Sequence, residues 1–105
     1  MEKYELDWKK MNGLIPVIVQ DVETRDVLML GYANERAIDM TRATGLASFF
    51  SRKRNELWTK GMTSGNIMGA EAIFYDCDGD ALIYRVRPNG PACHTGERTC
   101  FYRRI

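Results

Sequence analysis

The sequence predicts one small α+β domain in which mostly antiparallel strands pack around a single main helix. Three observations predict it. The chain has 105 residues, enough for one domain spanning 1–105 and too few for two. Short runs rich in β-branched and aromatic residues recur between turn signals. Only one long segment carries both a helix start and a helix stop.

Leu14–Gln20 reads as the first strand, through Ile15, Val17, Ile18 and Val19. A polar turn at 21–25 leads to its hairpin partner, Val27–Tyr32. Asn34 then stands as N-cap, with Glu35 in the first turn and Gly45 just past the end. Between them Ala37, Ile38, Met40 and Thr41 give the helix one fairly apolar face. A short helix is also expected near Leu6–Lys10. Ala47–Phe50 and Glu56–Lys60 read as short strands, and Ile67–Tyr75 and Ala81–Val86 as two more. Asp78-Gly79 supplies the turn signal between the last two. Pro88-Asn89-Gly90-Pro91 breaks the pattern and opens a loop over Ala92–Thr99. No repeat, low-complexity stretch or linker divides the chain.

Composition is that of a globular protein, 45% hydrophobic, 28% charged and 10% aromatic, which argues against disorder. A domain this small buries only roughly 65% of its unfolded surface, so a metal or a second copy would add stability. The net charge of +1 gives no global basic field, and nucleic acid is not expected as the main partner. No apolar run approaches about 18 residues, and the N-terminus is charged, so neither a membrane span nor a secretory signal is expected. The expected location is the cytoplasm. The three cysteines, Cys77, Cys93 and Cys100, all fall in the last third. An odd count in a reducing compartment points to metal binding or catalysis rather than a disulfide framework.

Three segments carry chemistry. In Asp76-Cys77-Asp78-Gly79-Asp80, three crowded carboxylates repel one another, and a hard divalent cation such as Mg2+ would relieve the repulsion. The bland reading is a solvated acidic hairpin tip. If strand alternation persists through Cys77, its side chain points away from Asp76 and Asp78, an arrangement that suits ligands donated across a dimer interface. In Gly90–Cys100, Cys93 and Cys100 lie seven positions apart in a loop. With Cys77 they supply three thiolates of the kind zinc takes, leaving a fourth position open for water. A structural site completed by His94 is the alternative. His94 is the only histidine, and its ordinary pKa near ~6.5 suits proton transfer at neutral pH. In Ser51–Asn66, the cations Arg52 and Lys60, the hydroxyls Thr63 and Ser64 and the two glycines Gly61 and Gly65 form a mix suited to phosphate. A solvated basic loop is the alternative there.

Taken together, these segments resemble the phosphoribosyl-AMP cyclohydrolase family, in its monofunctional form. The similar stretches run from Gly13-Leu14-Ile15-Pro16-Val17 through Val27-Leu28-Met29-Leu30-Gly31-Tyr32 and Glu56-Leu57-Trp58-Thr59-Lys60-Gly61. They continue through Asp76-Cys77-Asp78-Gly79-Asp80 and Gly90-Pro91-Ala92-Cys93-His94-Thr95-Gly96 to Cys100-Phe101-Tyr102. The resemblance implies an intertwined cytoplasmic homodimer that acts on a small nucleotide in histidine biosynthesis. It implies zinc at Cys77, Cys93 and Cys100, with ligands drawn from both subunits, and magnesium at Asp76, Asp78 and Asp80. It further implies hydrolytic opening of the N1–C6 bond of a phosphoribosylated adenine by zinc-activated water, with His94 transferring protons. Arg52, Lys60 and Arg98, with Thr63 and Ser64, are then expected to bind the substrate. A non-catalytic, zinc-stabilised RNA-binding module is the competing reading. A nucleoside deaminase fits poorly, because its His-x-Glu and Cys-x-x-Cys signatures are missing.

Overall fold

Six strands and one helix make up the computed structural model, which describes residues 4–105. Strands β1 (Ile15–Asp21) and β2 (Val27–Ala33) form the expected antiparallel hairpin, with Ile15 opposite Ala33 and a register shift at Val19/Gln20. Asp21 shapes the turn between them: its Oδ1 accepts from the N–H groups of Glu23 and Thr24 at 2.8 and 3.2 Å. The helix α1 (Glu35–Thr44) also matches expectation. The Asn34 side chain accepts from Ala37 N, and Gly45 ends the helix at φ 74°, its N–H returning to the Thr41 carbonyl. Ala37, Ile38 and Thr41 form the buried face.

Strands β3 (Ser48–Ser51) and β4 (Glu56–Thr59) make a separate two-stranded hairpin. Strands β5 (Met68–Tyr75) and β6 (Leu82–Pro88) pair antiparallel and join the first hairpin in a sheet of order β2-β1-β6-β5. The central pair, β1 with β6, is parallel. The sheet is therefore mixed, though antiparallel pairs predominate. Ile15, Val17 and Val19 on β1 and Leu82, Tyr84 and Val86 on β6 alternate inward and are buried. Phe49 of β3 closes the core, stacked on Trp58 at 4.9 Å between ring centroids and tilted against Tyr84 at 5.5 Å. Gly31 admits that ring, because a Cβ there would come within 2.6 Å of Phe49 Cδ1.

The helix expected near Leu6–Lys10 does not form. The chain there has no regular structure up to Trp8 and then turns, with Asp7 Oδ1 accepting from the N–H groups of Lys9 and Lys10. Asn12 and Gly13 follow with φ of 55° and 88°, which stops the turn from propagating into a helix.

Candidate metal and substrate site

The acidic segment lies in the β5–β6 connection. Strand β5 ends at Tyr75, so the alternation expected through Cys77 stops short of it, and a turn arranges the aspartates instead. Asp76 Oδ1 accepts from Asp80 N at 3.0 Å and Ala81 N at 3.3 Å, curling the segment so that Asp76, Asp78 and Asp80 converge. One oxygen from each lies within 4.8 Å of the others. The crowding perturbs them in opposite senses. A hydrogen bond from Lys10, then interactions with Asp78 and Asp76, hold Asp80 down at about 2. Asp78 is pushed up, chiefly by its hydrogen-bonding partner Asp80 and then by partial desolvation and the Asp76 charge. The Lys10 ammonium, paired with Asp80, stands where a cation is needed. The N-terminal segment is held there by Asp7 N donating to the Gly79 carbonyl at 2.7 Å. Three hard oxygen donors at one point fit Mg2+.

The thiols form a second, separate donor set. Cys93 is buried in the loop after β6, and the Thr95 hydroxyl donates to its Sγ at 3.0 Å. That bond, joined by the Thr95 N–H, Cys100 and the positive charge of Lys60, holds the Cys93 thiol below its ordinary range. Cys100 is pushed up, first by desolvation and then by its hydrogen bond with Cys93. Two neighbouring thiols are a soft donor set of the kind that fits zinc. Cys77 does not join it: among the described residues, the only three His, Cys, Asp or Glu donors that converge are the three aspartates. Two thiols are fewer protein ligands than zinc takes. His94 is exposed in the loop beside Cys93.

The cationic segment forms two open grooves on the β3–β4 side. In one, of about 540 Å³, the Arg52 guanidinium lies 3.9 Å over the Tyr32 ring, near Trp58 and Lys53. In the other, of about 430 Å³, Lys60, Thr63 and Ser64 line a turn with Trp58 between them and Arg52. Gly61 makes that turn possible: at φ 86° its missing Cβ would fall 2.3 Å from Ile67 N. A third cavity, of about 420 Å³ between α1 and β5, is lined by Tyr4, Leu6 and Ile38 and touches neither donor set.

Arg98 lies elsewhere from these cations. Its guanidinium pairs with Asp21 at 2.9 Å and Asp26 at 2.8 Å, in the β1–β2 turn. Burial alone would push the Asp21 carboxyl up, but hydrogen bonds from Glu23, Thr24 and Arg98 outweigh it and hold the carboxyl below its ordinary range. Sequence reasoning missed Thr95, Tyr32 and Lys10. Thr95 had a local signal, a hydroxyl two positions after a cysteine. Tyr32 and Lys10 had none, since their partners lie far along the chain.

Fold and site together define a small α+β domain that presents two donor sets on its loops, one of carboxylates and one of thiols. Residues 29–102 match the family model of phosphoribosyl-AMP cyclohydrolase. A phosphoribosyl-AMP cyclohydrolase of Cenarchaeum symbiosum is 54% identical over 101 residues, covering 96% of this chain and 94% of the relative. One of Archaeoglobus fulgidus is 60% identical over 93 residues, covering 89% and 86%. The histidine biosynthesis bifunctional protein HisIE of Thermus thermophilus is 56% identical over 93 residues, which are 89% of this chain and 44% of that protein. The chain belongs to the phosphoribosyl-AMP cyclohydrolase family.

Proposed function

We propose that this chain is a hydrolase of histidine biosynthesis that opens the adenine ring of 1-(5-phosphoribosyl)-AMP, and that it acts as a zinc- and magnesium-dependent homodimer. The ribosyl group on N1 makes C6 electrophilic. Water adds at C6, the N1–C6 bond breaks, N1 takes up a proton, and C6 becomes the carboxamide carbon. His94 carries the protons between the attacking water and the departing N1. Arg52 and Lys60, with the hydroxyls of Thr63 and Ser64, hold the phosphates. Cys93 and Cys100 hold zinc, and Asp76, Asp78 and Asp80 hold magnesium. Zinc, when bound, supplies Lewis acidity that brings the pKa of water toward ~7.

The observation that carries this reading is the Cys93–Cys100 thiol pair, with its depressed Cys93, standing beside the sole histidine and within the field of Lys60. The dimer is supported by the shortage of thiols in one chain: a second copy would bring its own Cys77. A row of apolar side chains on the outer sheet face also favours it. Leu30 stands opposite Ile18, Ile18 beside Ile83, and Ile83 opposite Phe74, so the row crosses all four strands. Leu30, Ile18 and Phe74 are exposed. The three free cysteines accord with work in the reducing cytoplasm.

The test is an absorbance assay with phosphoribosyl-AMP and Mg2+, comparing zinc-loaded with chelator-stripped protein. Ring opening that requires zinc and releases no ammonia is expected. Full turnover by stripped protein would remove zinc from the mechanism. Salt-dependent RNA affinity without turnover would instead establish the binding-module reading.

A further inference from the structure

Arg98 sits between the two paired cysteines in sequence, yet its side chain leaves their loop and enters the β1–β2 turn. Nη2 donates to Asp21 Oδ2 at 2.9 Å and to Thr24 Oγ1 at 3.0 Å, and Nη1 donates to Asp26 Oδ2 at 2.8 Å. Asp21 is only 7% exposed, and its other oxygen is taken by the turn's own N–H groups. Both of its oxygens are therefore committed. The main chain of Arg98 closes the loop as well: its carbonyl accepts from Ala92 N at 3.0 Å, while Cys93 N donates to the Glu97 carbonyl at 3.1 Å. On the far side, the Thr99 hydroxyl donates to the Val27 carbonyl at 2.8 Å and Cys100 N to the Leu28 carbonyl at 2.7 Å. Arg98 thus ties the loop that carries both thiols to the first hairpin.

We infer that Arg98 is a positioning residue: with Asp21 and Asp26 it locks the Cys93–Cys100 loop onto the β1–β2 hairpin and so sets the spacing of the two thiols. It does not hold a substrate phosphate. Two carboxylates in direct contact more than offset its single charge, which makes its surroundings unfavourable to a phosphate. The fork geometry matters too, because a lysine ammonium cannot reproduce two divergent contacts. This inference rests on the reading that Cys93 and Cys100 ligate zinc.

The experiment uses the full chain with Co2+ as the metal probe, reading the thiolate-to-metal absorption band and the affinity. Arg98→Ala and Asp21→Asn should each weaken Co2+ binding by about 10–100-fold, the range for residues that orient metal ligands. The double variant should be little worse than either single one, since both break the same clamp. Arg98→Lys should fall between Arg98→Ala and the parent. Asp26→Asn, at an exposed position, keeps the test open if Asp21→Asn fails to fold. In metal-free protein the clamp variants should also react faster with a thiol reagent at Cys93. Unchanged Co2+ affinity and thiol reactivity, with KM raised in Arg98→Ala alone, would overturn the inference and make Arg98 a phosphate ligand. If the parent protein bound no Co2+, the zinc reading would fall, and the thiol-reactivity comparison alone would decide the clamp.

Discussion

Tyr84→Phe deletes a single oxygen atom from the centre of the molecule, and the structure fixes what should follow. Tyr84 is fully buried on β6, its hydroxyl donating to the Ser48 carbonyl at 3.1 Å with Thr41 Oγ1 at 3.5 Å. The Thr41 hydroxyl lies 3.3 Å from the same carbonyl and can turn to it, although its one proton also has the Ala37 carbonyl at 2.8 Å. The loss near neutral pH should therefore sit at the low end for a buried hydrogen bond, about 1 kcal/mol. In a domain of this size that lowers Tm by about 4–8 °C. The alkaline behaviour is more diagnostic. Burial pushes the Tyr84 hydroxyl up from 10.0 to about 12, with the Thr41 contact opposing it slightly. Below pH 10 both folded and unfolded states hold this proton, and its contribution is complete. Between pH 10 and 12 the unfolded chain releases it while the folded chain does not, so the parent protein loses stability, on the order of 2–3 kcal/mol across the window. Tyr84→Phe has nothing to titrate there. The two stability curves should thus cross between pH 10 and 12, the variant weaker below the crossing and stronger above it. Urea unfolding of metal-free protein at fixed protomer concentration, at pH 8, 10, 11 and 12, measures this. A parent-minus-variant difference that stays constant over that range would refute the reasoning.

Two further predictions concern the site. Lys10→Met removes the tethered ammonium from Asp80, so Mn2+, as a spectroscopic stand-in for Mg2+, should bind the acidic turn several-fold more tightly. The gain stays modest because exposed pairs are screened, and unchanged Mn2+ affinity by electron paramagnetic resonance would show that Lys10 does not compete there. Gly61→Ala forces a Cβ onto the backbone of Ile67 at a left-handed φ. It should cost about 1–3 kcal/mol and raise KM through the Lys60–Ser64 turn, as read by thermal melts and steady-state kinetics.

Much of the fold was legible because its signals are local. Asn34 and Gly45 bracket α1 by their own chemistry, and the β1–β2 hairpin follows from alternation on either side of a polar turn. What was not legible depends on contacts between distant residues. The parallel pairing of β1 with β6 joins segments separated by most of the chain, and no periodicity in either strand reveals its neighbour. The same holds for Arg98 with Asp21 and for Lys10 with Asp80, each about 70 or more positions apart. Arg98 therefore read as a cation for substrate, and its ion pairs with Asp21 and Asp26 became visible only in the fold. At Leu6–Lys10, Asp7 as a turn cap and the left-handed Asn12-Gly13 pair outweighed the local helical pattern. The aspartates and the cysteine–histidine loop stood out in sequence because their residue types are costly to crowd together without a ligand. Which donors converge within one chain became apparent only in three dimensions.

The central claim is that a zinc centre split between two copies of the chain serves the ring-opening reaction, and mixed dimers test it most directly. Protomers carrying Cys77→Ser and Cys93→Ser are co-expressed with different tags, and the mixed dimer is purified and assayed for zinc and for turnover of phosphoribosyl-AMP. If one copy supplies Cys77 and the other the Cys93–Cys100 pair, each homodimer is inactive and poor in zinc. The mixed dimer then keeps one intact centre, holding one zinc and about half the parent turnover per dimer. A mixed dimer as inactive as the two homodimers, or a Cys77→Ser homodimer that retains its zinc and activity, would contradict the account.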